Sequence, residues 1–295
     1  MPVSTDMVGA TVEPMVHDVD ERWTMAYAAA LRDHLDCYLD TRRPEGVVAH
    51  PLFAVCPEWP IIVRSRELSD RWGITPDEVR RGVHATHDTT IHRLIRPGDR
   101  LTTTLEIVGV EQRKPGAYST MRLVTQAADG EVVATTEQGS MYLGVPTTGP
   151  DRPASFLAAR LDLPTLDAGA VRAEVEIPIG AGDAHTYTEC ARIWNPIHTD
   201  AAVAAAAGLP EIILHGTATL AHGVSTVVRL EAGGEPARVR RIVGRFGAMV
   251  PMPSTITVRI LDRSASGDGT DAVRFEVRNQ AGGPAVDGGV ILLDA

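Results

Sequence analysis

The chain is poor in the features that mark several protein classes. Its three cysteines, Cys37, Cys56 and Cys190, are odd in number, scattered and outside any C-x-x-C spacing. They suggest neither a disulfide framework nor a zinc site. The opening MPVSTDMVGATVEPMVHDVD has no basic region followed by an apolar run, so no secretory signal is evident. No apolar stretch reaches the roughly 18 residues that a membrane-spanning helix needs. The default expectation is a cytoplasmic protein. Positive charge is also short: 28 Lys and Arg stand against 38 Asp and Glu, a formal net charge of −10. That balance argues against a nucleic-acid binder, which shows a basic face or stripe. An acidic ligand is still allowed, because it needs only a local basic patch. The candidate patch is Arg238–Arg245 (RVRRIVGR), whose four arginines can equally be a solvated strand face.

What is present is length and alternation. A chain of 295 residues buries a real core as one large domain or as two of roughly 150. Leu101, Leu105 and Ile107 alternate with Thr102, Thr104 and Glu106, and Met121 and Leu123 flank Arg122. Ile256, Val258 and Ile260 alternate with Thr255, Thr257 and Arg259, and Val273, Phe275 and Val277 with Arg274, Glu276 and Arg278. A period of two predicts antiparallel strands with one wet face and one on a core. Turns fall between them at Arg96–Asp99, Lys114–Gly116, Asp129–Gly130 and Ser266–Gly269.

The pattern recurs. A turn containing Pro97 leads into the strand from Leu101, and one containing Pro251 and Pro253 leads into the strand from Ile256. Each half opens with a helical region and closes with three or four strands, so the chain reads as two copies of one α+β unit. The expected boundaries are 1–146 for the first, 147–171 for a linker rich in Pro, Thr and Gly, and 172–295 for the second.

The segment His215–Leu230 (HGTATLAHGVSTVVRL) is uncharged until Arg229 and built almost wholly of small or β-branched residues. Propensity alone barely holds such a helix, and one that is apolar all round belongs inside a protein. Small residues let a curved sheet close tightly around it.

Chemistry concentrates in Tyr187–Gly216 (YTECARIWNPIHTDAAVAAAAGLPEIILHG). Thr199 reads as an N-cap and Gly208 as a C-terminal stop of the helix between them. That places Asn195-Pro196-Ile197-His198 in the loop before it, with His215-Gly216 following at the mouth of the buried helix. Asp200 reads as a favourable first-turn charge.

Asn195, Pro196, His198 and Asp200, followed by the His215-Gly216 pair, resemble the motif of the MaoC-like (R)-specific enoyl-thioester hydratases and dehydratases. The first half, through HATHDTTIHRLIRPGDRLTT at 84–103, is similar to the degenerate first unit of the fused members. The resemblance implies an α+β double hotdog, two antiparallel sheets each wrapped around a central helix. It implies a hydro-lyase acting on a 2-enoyl or 3-hydroxyacyl thioester of coenzyme A or an acyl carrier protein, with no metal or organic cofactor. In such a reaction a histidine, whose pKa lies near the working pH, suits proton transfer. Amides at a helix N-terminus suit the developing oxyanion. The implied roles are His198 as base, the Gly216 N–H as oxyanion donor and Asn195 as an orienting group. Trp194, His215 and Arg245 are candidate substrate contacts. The two halves can pack as the pair that single-domain relatives make by dimerising, and a homodimer of the whole chain stays open.

One departure stands out. Where the family motif begins with an aspartate, this chain has Ile193, which neither holds a proton nor orients water. Three readings follow. Glu189, four residues earlier, shares a helix face with position 193 if that stretch is helical, and substitutes as the acid. Or His198 acts alone. Or the site isomerises, cyclises, hydrolyses or simply binds a thioester. In the first half, His84, His87, Asp88 and His92 look like a metal cluster, but on a regular strand His84, Asp88 and His92 face one way and His87 the other. No metal site is expected, and the resemblance implies that the first half has lost its own catalytic residues and gained room for a longer acyl chain.

Overall fold

The computed structural model describes residues 2–156, 161, 163, 165, 171–266 and 269–295. Strands are β1 Val3–Ser4, β2 Met15–Asp18, β3 Gly82–Ile91, β4 Arg100–Arg113, β5 Gly116–Ala127, β6 Val132–Leu143, β7 Thr147–Thr148, β8 Ala173–Ile179, β9 Val239–Phe246, β10 Ser254–Ala265, β11 Thr270–Arg278 and β12 Pro284–Asp294. Helices are α1 Glu21–Ala30, α2 Asp36–Leu39, α3 Val55–Arg64, α4 Glu67–Arg71, α5 Pro76–Arg80, α6 Asp183–Ala191, α7 Ala201–Ala206 and α8 Gly216–Glu231.

The internal repeat is explicit in the strand order. The first half runs β2-β4-β5-β6-β3, the second runs β8-β10-β11-β12-β9, and antiparallel pairing of β3 with β9 joins them into one ten-stranded sheet. Each half is therefore a strand, a helical stretch and four further strands. The strands that open each half, β2 and β8, are absent from the expectation of a helical opening. At four residues, β2 is too short for its alternation to stand out. Part of the expected linker belongs to the first half: β7 pairs in parallel with β1, and Arg152 bridges Val110. Residues 157–160, 162, 164 and 166–170 of that linker, and 267–268 of the turn at Ser266–Gly269, lie outside the described residues.

The alternating strands bury the face expected of them. Ile256, Val258, Ile260, Val273, Phe275 and Val277 are fully enclosed, and they close on α8. That helix is buried at every position from Ala218 to Val228. The fit demands small residues: a Cβ on Gly223 would lie 2.4 Å from the Phe275 ring. The helix facing the first half's sheet, α3, has 10 residues against 16 for α8, and carries Pro60. At 1.5 Å per residue it is shorter by about 9 Å, which leaves space on the concave side of the first sheet.

Polar contacts lock the halves together. Arg229 reaches the fully buried Asp33 at 2.8 Å and Arg32 reaches Asp183 at 2.5 Å. His50 accepts the Leu52 N–H at Nδ1, so its Nε2–H donates to Ser225 on α8 at 3.1 Å. The arginines of 238–245 are engaged rather than free: Arg238 and Arg240 hold Asp294, Arg241 holds Asp88 and Arg245 holds Asp287. The three cysteines are unpaired, and among the described residues no helix is long and apolar enough to cross a membrane.

Gly223→Ala is expected to cost about 1–3 kcal/mol, the usual penalty of overpacking. Thermal denaturation should register it as a lowered Tm. An unchanged Tm would mean that the sheet has slack over α8.

Candidate active site

Local chain geometry brings the second-half motif together. Helix α6 stops because Arg192 turns left-handed, at φ 58°. The chain then descends through Ile193 into a 3-10 turn at Pro196–His198. Asp200, rather than Thr199, caps the next helix, its Oδ1 accepting the N–H groups of Ala202 and Val203 at 2.8 and 3.2 Å. An aspartate offers a charged acceptor to the helix dipole where Thr199 offers a hydroxyl. Gly208 ends the helical segment with φ +81°.

The His198 ring is fixed by a single bond. Its Nδ1 sits 2.8 Å from the Ile213 carbonyl oxygen. A carbonyl only accepts, so the proton resides on Nδ1 and Nε2 carries a free lone pair. The ring stacks on His215, with centroids 3.7 Å apart and planes 27° from parallel. Burial lowers the His198 pKa to about 4. Burial, and then the neighbouring His198, push His215 down as well. Both imidazoles are neutral at neutral pH. The Nε2 of His215 pairs with the Thr188 hydroxyl at 3.2 Å, which positions the ring against its neighbour.

Beside this pair the first turn of α8 opens. The N–H groups of Gly216, Thr217 and Ala218 have no backbone acceptor among the described residues, as expected of a helix start. The Tyr187 hydroxyl donates to Thr217 Oγ1 at 3.1 Å and steadies that turn. A Cβ on Gly216 would come within 3.1 Å of the Phe246 ring, so glycine lets the helix end approach the sheet.

All of this faces one cavity of about 730 Å³, walled by both halves. His198, His215, Gly216, Asn195, Ile193 and Arg245 lie on its wall. Two expected residues do not. Trp194 is 54% exposed and absent from the wall, while Ile193 beside it is buried and on it. Glu189 is exposed on α6 and also absent from the wall. The left-handed Arg192 ends the helix before position 193, so the shared helix face that would have made Glu189 a substitute acid does not form.

The first half supplies what motif reading missed. Glu58 on α3 is the one carboxylate on the wall among the described residues, and is 1% exposed. Burial, opposed by the Thr136 hydroxyl bond, raises its pKa to about 8, so the carboxyl is protonated at neutral pH. Its sequence context, VCPEWPII, reads as one acid in an apolar helix, and an acid in such a run is the available signal. The strand parity assigned to the histidines is corrected here. A register shift between His84 and Thr86 puts the His84 and His87 rings on one side, 5.5 Å apart, while Asp88 faces Arg241 on the other. His92 is exposed. Among the described residues no group of three His, Cys, Asp or Glu is arranged to hold a metal.

Known proteins fit this arrangement. The family described as MaoC like domain matches residues 165–282, and the FAS1-like dehydratase domain region matches residues 6–136. The chain thus carries a MaoC-like domain in its second half and a FAS1-like dehydratase region in its first. Among related MaoC-like structures, a dehydratase from Phytophthora capsici superposes with a TM-score of 0.81 at 21% identity, over 99% of this chain and 98% of that one. A Mycobacterium tuberculosis protein with a double hotdog fold gives a TM-score of 0.64 at 18% identity, covering 97% and 96%. In sequence, the 3-hydroxyacyl-thioester dehydratase Y of Mycobacterium tuberculosis is 24% identical over 83% of each chain. The peroxisomal enoyl-CoA hydratase 2 of Arabidopsis thaliana is 40% identical, over 18% of this chain and 17% of its own length. The MaoC-like fold thus appears here as the expected α+β double hotdog.

The buried imidazoles of this MaoC-like chain give stability a pH dependence. His198, His50, His87 and His222 have folded pKa values of about 4, below the free value of 6.5. The unfolded chain therefore binds more protons in that window. The contribution to stability is full above about 6.5 and is lost as pH falls through 4. Glu58, raised from 4.5 to about 8, has the opposite sign, but it is one group against four. Tm is expected to fall between about pH 7 and pH 5. A flat profile would place these rings in contact with water.

Proposed function

We propose that the protein is a hydro-lyase that hydrates 2-enoyl thioesters, or dehydrates 3-hydroxyacyl thioesters, carried on coenzyme A or an acyl carrier protein. The observation that carries this reading is the free Nε2 of His198 sharing a cavity with the unpaired amides at the start of α8. The relatives named for 3-hydroxyacyl-thioester dehydration and enoyl-CoA hydration support it.

In the hydration direction, His198 Nε2 takes a proton from water as the oxygen bonds to the β carbon. The double-bond electrons move onto the thioester oxygen, where the Gly216 N–H, with Thr217 beside it, stabilises the charge. The imidazolium then returns its proton to the α carbon, so that one water is added and the enzyme is restored. A base whose pKa is held low is weak, but Nδ1–H donating to Ile213 secures the reactive tautomer, and loss of one oxyanion donor typically costs about 2.7–4 kcal/mol of barrier. Asn195, with no side-chain hydrogen bond among the described residues, orients the water. This scheme needs no partner at position 193: one imidazole both takes and returns the proton. Isomerisation, cyclisation, thioester hydrolysis and simple binding leave the same wall residues without this proton path.

His198→Ala is expected to lower turnover of crotonyl-CoA and longer 2-enoyl-CoAs by about 10²–10⁴, followed as loss of the enoyl ultraviolet band, with circular dichroism unchanged. Undiminished activity would remove His198 as base. Release of free thiol from the wild type in place of band loss would indicate hydrolysis. Glu189→Gln is expected to retain full activity because the residue is exposed; a large loss would restore it as the acid.

A further inference from the structure

We propose that the first-half arm of the cavity is a polar acyl chamber, which takes thioesters whose chain bears a hydroxyl or carbonyl oxygen beyond the reacting carbons. This rests on the thioester reading above and specifies its substrate class. The second sheet packs apolar side chains such as Val258, Phe275 and Val277 around α8. The corresponding face of the first sheet sets polar side chains among apolar ones such as Ile107 and Met121. Its register sets Ser119 opposite Ser140 and His87 opposite Gln138.

Ser69, Ser119, Gln138 and Ser140 are 6%, 3%, 7% and 8% exposed, and all line the cavity. None of the four makes a side-chain hydrogen bond among the described residues, yet none has its polar atoms sealed within protein. Such groups face the void. Glu58 joins them from α3. Its Oε1 accepts from Thr136 at 2.5 Å, and the chain continues through Thr89 to His87 Nε2, each link at 2.8 Å. Each hydroxyl spends its one proton along that chain, so Oε2 is left without a protein partner among the described residues. A protonated carboxyl there both donates and accepts. An alkyl chain filling this arm would strip water from these groups and leave them unpaired. An oxygenated chain satisfies them, and a site built to hydrogen-bond an oxygen discriminates strongly against the analogue lacking it.

The test compares 2-octenoyl-CoA with its counterparts carrying one hydroxyl or keto oxygen beyond the γ carbon. Wild-type kcat/KM is measured for each, together with calorimetric binding to full-length His198→Ala protein. The oxygenated thioesters are expected to be favoured by about tenfold or more, the equivalent of one net hydrogen bond. Glu58→Leu and the double variant Ser119→Ala/Gln138→Leu should bring the ratio towards unity, while Glu58→Gln, which still donates and accepts, should keep most of it. Equal or better binding of octenoyl-CoA, or a ratio untouched by these variants, would overturn the chamber and leave the lyase reading standing. If no thioester binds or reacts, both fall.

Discussion

A helix with no charged or solvent-facing side has to be covered all round, and the rest of this structure follows from that requirement. From Ala218 to Val228, α8 carries no Asp, Glu, Lys or Arg and is buried at every position. The second sheet curves around it with Val, Ile and Phe side chains that are wholly enclosed. Tight closure needs glycine at the contact with Phe275. A helix placed this way must begin somewhere, and its first amides lack acceptors within the helix. Burial of the cylinder thus leaves an amide-bearing end beside which His198 is held.

The duplication divides the labour. Both halves share one strand order, but only the second fills its concave side with a long helix. The first uses the shorter α3, and the volume that α8 occupies in one half is partly cavity in the other. Joining the halves through β3 and β9 sets the residues of both along one void. The buried ionic contact of Arg229 with Asp33 and the His50–Ser225 bond then hold their relative placement.

The site is electrostatically quiet. Its histidines are neutral because burial disfavours the charged ring, and its carboxyl is neutral for the same reason. Two arginines on the wall are committed to carboxylates, Arg245 to Asp287 and Arg113 to Glu111. Beside the neutral histidines the first turn of α8 presents oriented amide dipoles. Ile193 extends the apolar part of the wall beside the His198 ring, whose tautomer is set by the Ile213 carbonyl.

Much of the architecture was legible from residue order. Alternation at 101–107, 256–260 and 273–277 marked the strands, the uncharged run from 215 marked the enclosed helix, and Asn195, His198, His215 and Gly216 marked side chains and backbone that the fold brings onto one cavity wall. These signals are local, because each arises from the periodicity or conformational preference of a few neighbours. Glu189 and Trp194 stood close in sequence and lie off the wall, since one left-handed residue redirected the chain. Glu58 and the polar face around Ser119, Gln138 and Ser140 stood far away and lie on it. A register shift of one residue put His84 and His87 on the same side. Pairing across strands and the void between two packed halves depend on contacts between distant segments, and only folding brings those segments together.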